Sequence, residues 1–260
     1  QGQNAYKPRF ELSGKVLYSK VSKLFELFEE ILLHTHFDDE KRLKEILNQL
    51  KSRLEMGFMS NGHSTAVNRA MSYFSQGSWY KELVEGIAFY QFLCDTLKNY
   101  ETRKVEVIRR LNSIGQKIFR KAYLMADMTV DHEGMQICTK PLVSFAGKLY
   151  TALMSAVDCA VKTIGTCPRH NEAFITSGMV QYNACVGNFG GSGMAYSGSM
   201  NVLKNVLGNE YLWNNVRVKG GAYGCMCGFA PSGNGYFTSY RDPNLAKTYD
   251  IYANAADYVR

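Results

Sequence analysis

The sequence predicts an α+β protein whose N-terminal part is mainly helical. Apolar residues recur at helical spacing through the first hundred positions, and the remainder switches between helical and two-residue periods. Near the C-terminus, two strand-like runs flank a Pro-Ser-Gly-Asn turn.

Leu17, Val21, Leu24, Phe25, Phe28, Ile31 and Leu32 mark a helix over 15–33. Asp38, Asp39 and Glu40 open a second, where acidic residues suit the helix dipole, and it continues through Leu43, Ile46, Leu47, Leu50 and Leu54. Ser60-Asn61-Gly62 predicts a break, followed by a helix over about 63–75. Gln76-Gly77-Ser78 predicts another, then a helix over 79–97. Val105, Ile108, Leu111, Ile114 and Ile118 mark the next helix, with a domain boundary expected near Asn99–Lys104. Beyond it the pattern predicts a strand over 123–130, a helix over 142–161, and one long strand or a pair over 173–186. A helix over 196–207 is expected to stop at Gly208, a favourable C-terminal glycine. Strands follow over 222–229 and 235–241, and a last helix over 244–258. Both ends read as cuts through domains, because the early helices have little sheet to cover and the last helix has no successor.

Composition narrows the function classes. The chain has 260 residues, 46% of them hydrophobic, which supports a packed core and argues against disorder. Thirty Lys and Arg against 23 Asp and Glu give +7, a mild excess densest between Arg103 and Lys121 and read as a solvated helix face. No nucleic-acid module accompanies it. The seven cysteines contain no Cys-x-x-Cys pair and fit a reducing compartment, either cytoplasm or an organellar matrix. Cys225 and Cys227 share a strand face and read as small core residues. No apolar run reaches the ~20 residues of a membrane span.

The motifs for metal and phosphate chemistry are missing. Histidines stand at 34, 36, 63, 132 and 170, with neither His-Glu-x-x-His nor its inverse. His34 and His36 would point about 200° apart on a helix, a poor chelating geometry. Gly187-Asn188-Phe189-Gly190-Gly191-Ser192-Gly193 fits neither a P-loop nor a dinucleotide loop and reads as a flexible loop. Ser60, His63 and Ser64 lack an adjacent acid and read as helix-capping residues.

The segment Arg217-Val218-Lys219-Gly220-Gly221-Ala222-Tyr223-Gly224 is the most informative. It sets a guanidinium and a phenol six residues apart around a Gly-Gly pair. Glycine permits close backbone approach and positive φ, while Arg and Tyr supply donors that could hold a carbonyl and stabilise negative charge growing on it. Lys219 is the member most readily read as facing solvent.

With Ser239-Tyr240-Arg241-Asp242-Pro243-Asn244, this segment resembles the C-terminal half of the presequence-protease branch of the M16 (pitrilysin/insulinase) zinc metallopeptidases. The Ser60–Ala70 stretch resembles the Ser-Gly-His-x-x-Ala-x-x-Arg-Ala pattern of their third domain. The resemblance spans nearly the whole chain. It implies LuxS/MPP-like α+β domains in which helices pack an antiparallel-rich sheet: residues 1–100 as the helical end of the third domain, and 101–260 as an incomplete fourth. It further implies a clamshell endopeptidase that closes on unfolded peptides. Zinc and its Glu base belong to the N-terminal half, which is the partner of this segment. Arg217 and Tyr223 would contact the substrate backbone and the oxyanion, Gly220 and Gly221 would shape the turn between them, and Tyr196-Ser197-Gly198 would lie near the chamber wall. No catalytic or metal-binding residue is implied in this segment, and no nucleic acid or membrane partner. Cys225-Met226-Cys227 departs from the small residues common there. Two alternatives stand beside this reading: a structural M16-like subunit without proteolysis, and a basic nucleic-acid-binding protein.

Overall fold

A computed structural model describes residues 8–151, 164–168, 170, 172–176 and 178–260. These divide into two compact units, each assembled from separate stretches of chain: Lys7–Leu47 with Thr96–Lys162, and Asn48–Asp95 with Thr163–Arg260.

The first unit is helical among its described residues. Helix α1 (Val21–Leu33) packs on α6 (His132–Lys148) through Phe25 and Phe28, whose rings lie 5.6 and 6.4 Å from Phe145. Helix α6 begins ten residues before the expected 142 because Asp131 caps it, accepting the Gly134 N–H at 2.7 Å. It ends at Lys148, and the expected extension past 151 lies outside the described residues. The start of α2 (Glu40–Met71) meets α5 (Tyr100–Ile118), where the Tyr100 hydroxyl donates to Glu40 O at 2.5 Å.

Part of the basic stretch on α5 is paired with nearby carboxylates. Lys104 contacts Glu40 at 2.6 Å and Glu101 at 3.0 Å. Arg109 and Arg110 both engage Glu106, and hold its carboxyl down to about 2.

The strand expected over 123–130 does not form. Its alternation supplies the right period, but residues 124–131 have no strand to pair with among the described residues and are mostly exposed. A lone bridge, Arg120 to Tyr150, stands nearby. A two-residue period becomes a strand only where a ladder partner satisfies its backbone.

The second unit holds a three-stranded antiparallel sheet in the order β1 (Gln181–Asn188), β3 (Asn234–Asp242), β2 (Gly224–Phe229). The β2–β3 hairpin agrees closely with the sequence expectation. Gly233 supplies φ +83°, and the Ala230 N–H donates to Asn234 O at 2.8 Å. β1 is shorter than expected, because residues 172–176 join no ladder.

The helix expected to stop at Gly208 runs on. Helix α7 (Ser199–Val206) passes into a π-helical segment, Leu207–Val218. Leu207, Tyr211, Leu212 and Val216 are buried with Ala222, Cys227, Tyr252 and Ala255 in one core. Burying four large side chains along one face outweighs the ~1 kcal/mol cost of one helical glycine. Helices α8 (Ala246–Ala253) and α9 (Ala255–Tyr258) cover the same core and divide the last expected helix in two.

The breaks expected in the N-terminal helices also shift. Ser60-Asn61-Gly62 bends α2 at Asn61 (φ −128°, ψ 33°) without ending it. Ser75 caps α3 (Gln76–Glu85), so Gln76-Gly77-Ser78 opens a helix where the sequence predicts a break. Gly86, with extended φ and ψ, separates α3 from α4 (Ile87–Lys98).

Two links hold this unit together. Arg69 bridges Glu82 (3.3 Å) and Glu172 (2.5 Å), and Glu82 is fully buried. Asn68 Nδ2 and the Ala88 N–H also donate to Glu82, at 2.8 and 3.4 Å. Gly62 sits where any Cβ would fall inside the Tyr182 ring of β1, so glycine lets α2 close on the sheet until the Tyr182 hydroxyl donates to Met59 O at 2.5 Å.

Candidate functional site

The end of the π-helical segment and the start of β2 form one side of an open cleft of about 340 Å³ within the second unit. Leu212 and Val216 face the core, which turns Trp213 and Arg217 outward. The Arg217 guanidinium lies over the Trp213 ring at 4.0 Å and 6.0 Å from the Tyr223 ring. Stacking of this kind fixes the plane of the guanidinium while leaving its N–H edge free.

Arg217 has no carboxylate partner among the described residues, and no Asp or Glu lines the cleft. Tyr223, 67% exposed, brings to the same cleft a phenol with no hydrogen-bond partner among the described residues. Its ring packs edge-on against Tyr240 of β3 at 5.7 Å, and its N–H donates to Tyr240 O at 3.1 Å.

The glycine pair shapes the join. Gly221, at φ +83°, donates its N–H to Arg217 O at 2.8 Å, and the Ala222 N–H donates to Val216 O at 3.2 Å. A left-handed glycine closes the helix here. A Cβ on Gly220 would strike the Val216 carbonyl. Both glycines are therefore required by backbone geometry, and the turn they make places Arg217 and Tyr223 on one surface. Lys219 is exposed, with Nζ 3.3 Å from Asn215 Oδ1, and does not line the cleft.

The second motif segment supports the first. Asp242 is fully buried and accepts from Asn183 Nδ2 (3.1 Å), Thr248 Oγ1 (2.8 Å) and the Asn244 N–H (2.8 Å). Asn244 Nδ2 then donates to Gly220 O at 2.6 Å. Just before Asp242, Arg241 takes φ +49°, an unusual conformation for a residue with a Cβ.

Two family models match the chain: the model for the region associated with subfamily C of peptidase family M16, over residues 1–96, and the PreP C-terminal domain, over 171–260. The chain belongs to the presequence-protease branch of the M16 peptidases. It is 34% identical over 98% of its length to Protein HypA of Clostridium perfringens. It is 30% identical over 95% of its length to Presequence protease 1, chloroplastic/mitochondrial, of Arabidopsis thaliana, and 27% over 98% to the mitochondrial presequence protease of Saccharomyces cerevisiae. The chain spans about a quarter of the length of these relatives (26%, 23% and 27%).

Among the described residues no three His, Cys, Asp or Glu side chains come together in a way that could hold a metal ion. Cys225 and Cys227 pack into or against the core, where burial pushes both thiols up to about 11 and keeps them protonated. No described helix is long and apolar enough to cross a membrane. The glycine-rich loop 187–193 closes on itself and on the hairpin turn: Asn188 Oδ1 accepts from the Gly191 N–H, and the Gly190 N–H donates to Gly233 O at 3.2 Å.

One cleft residue has no counterpart in the sequence expectation. His63, read there as part of a helix cap, stands in the interior of α2 and lines the cleft with Asn61. Its ring meets Tyr240 edge-on at 5.1 Å.

Proposed function

We propose that this segment is the non-catalytic C-terminal portion of a zinc metalloendopeptidase that degrades unfolded peptides inside a closed chamber. It supplies part of the chamber wall, and Arg217 and Tyr223 donate hydrogen bonds to the substrate backbone and to the carbonyl oxygen as negative charge develops there. Gly220 and Gly221 allow the peptide to approach the turn. One observation carries this reading: among the described residues, a stacked guanidinium and a phenol, neither with a hydrogen-bond partner, share a cleft that no carboxylate lines. Such an arrangement is electrostatically suited to oxygen atoms gaining charge.

Zinc, in this reading, belongs to the N-terminal half of the same polypeptide, since the residues described here do not fit it. The division into a third domain, 1–100, and a fourth, 101–260, is supported by the two family matches at 1–96 and 171–260. We assign the protein to a reducing compartment, cytoplasm or organellar matrix. The described cysteines are all free, and the Arabidopsis and yeast relatives carry organellar names.

The test is mutation in the complete enzyme. Arg217→Ala and Tyr223→Phe should each lower turnover of an unstructured peptide, by about 10²-fold if the donor acts on the transition state, with zinc content unchanged. Wild-type turnover in both variants would remove the assigned role. A structural subunit without proteolysis would show the same insensitivity and no peptidase activity at all.

A further inference from the structure

We propose that His63 is a third substrate-contact residue of the Arg217–Tyr223 cleft, donating its Nε2–H to a carbonyl of the bound peptide backbone. This rests on the reading that the cleft binds an extended peptide.

The placement of His63 is built into the fold. The bend at Asn61 and the side-chain-free Gly62 seat α2 against Tyr182, and the next residue is thereby delivered into the cleft. Tyr240 then holds the ring edge-on at an interplanar angle of 84°. Tyr240 also packs Tyr223, so one β3 side chain positions both polar rings.

The protonation state follows from burial. Nδ1 is sealed from solvent and has no hydrogen-bond partner among the described residues, whereas Nε2 is not sealed in this way. A neutral imidazole carries one donor nitrogen and one acceptor. Orphaned buried N–H groups are rarer than under-used acceptors, so the lone pair belongs at Nδ1 and the proton at Nε2. Charging the ring would place an N–H at the sealed position, and burial accordingly lowers the affinity of His63 for a second proton. His63 therefore adds a neutral donor to a cleft already furnished with two others and lacking any carboxylate.

The experiment uses the complete enzyme carrying His63→Phe, His63→Gln or, as reference, Arg217→Ala. Phe keeps an aromatic ring against Tyr240 and removes the donor. Gln keeps an N–H near the Nε2 position. We expect His63→Phe to lower kcat/KM for an unstructured peptide about three- to tenfold, the range of one hydrogen bond, with an unchanged melting temperature. His63→Gln should recover most of the loss. Wild-type kcat/KM in His63→Phe alongside an impaired Arg217→Ala overturns the inference and leaves the site reading intact. Wild-type kcat/KM in both overturns the site reading. Nitrogen-15 spectra of the wild-type imidazole give a readout independent of any variant. The Nε2–H tautomer, with Nε2 shifting when a non-cleavable peptide binds, is expected. An Nδ1–H tautomer, or an unmoved Nε2, overturns the proposal.

Discussion

At the residue scale, His63 shows why chemistry can be present in a sequence and still go unread. The Arg217–Tyr223 pair is close in the chain, and its glycines announce a turn, so those positions are legible. His63 meets Tyr240 from far along the chain, and no local pattern links them. Its burial makes a prediction. Because the folded-state pKa lies below the ordinary imidazole value, the unfolded chain takes up the proton first as pH falls. Stability should be complete above about pH 6.5 and should decline as pH drops through the lowered pKa. The ring packs on Tyr240 of the sheet and shares the cleft with Arg217 and Tyr223; among the described residues, no carboxylate that could favour the cation lines that cleft. Urea unfolding at pH 7 and pH 5 tests this, and a pH dependence identical in His63→Phe and wild type would refute it.

At the element scale, what can be read depends on where each element finds its partners. The β2–β3 hairpin is legible within a residue or two because its turn chemistry lies inside it. The helical backbone continues past Gly208, as the π-helical segment after α7, because its buried stripe packs on residues distant in the chain. The strand expected over 123–130 fails for want of a ladder. The early part of the strand expected over 173–186 fails likewise, since residues 172–176 join no ladder, and Glu172 beside it is ion-paired with Arg69 of α2. That ion pair carries its own prediction. Arg69→Met would leave Glu82, fully buried, without its cation. Uncompensated buried charge of this kind costs about 3–5 kcal/mol. The urea midpoint should fall accordingly, and adding Glu82→Gln should restore part of it. A loss below about 1 kcal/mol in the single variant would show that Arg69 matters little to the unit.

At the scale of the whole molecule, the chain joins helical and mixed segments that both match one peptidase branch, yet it spans about a quarter of each relative (26% and 23%). The proposed division of labour predicts that this chain alone does not cleave a long unstructured peptide. Cleavage abolished by a chelator would mean that its own histidines and acids assemble a metal site. Asp242 and Asn244 bear on how such a chain could be shortened. Every residue of the cleft lies at or before Tyr240, but the carbonyl of Gly220 is held from Asn244, and the carboxylate that orients Asn244 is itself held by Thr248. A version trimmed just past Tyr240 would keep every word of the cleft and lose the grammar that arranges them. Any minimal binding module cut from this protein has to extend through Thr248.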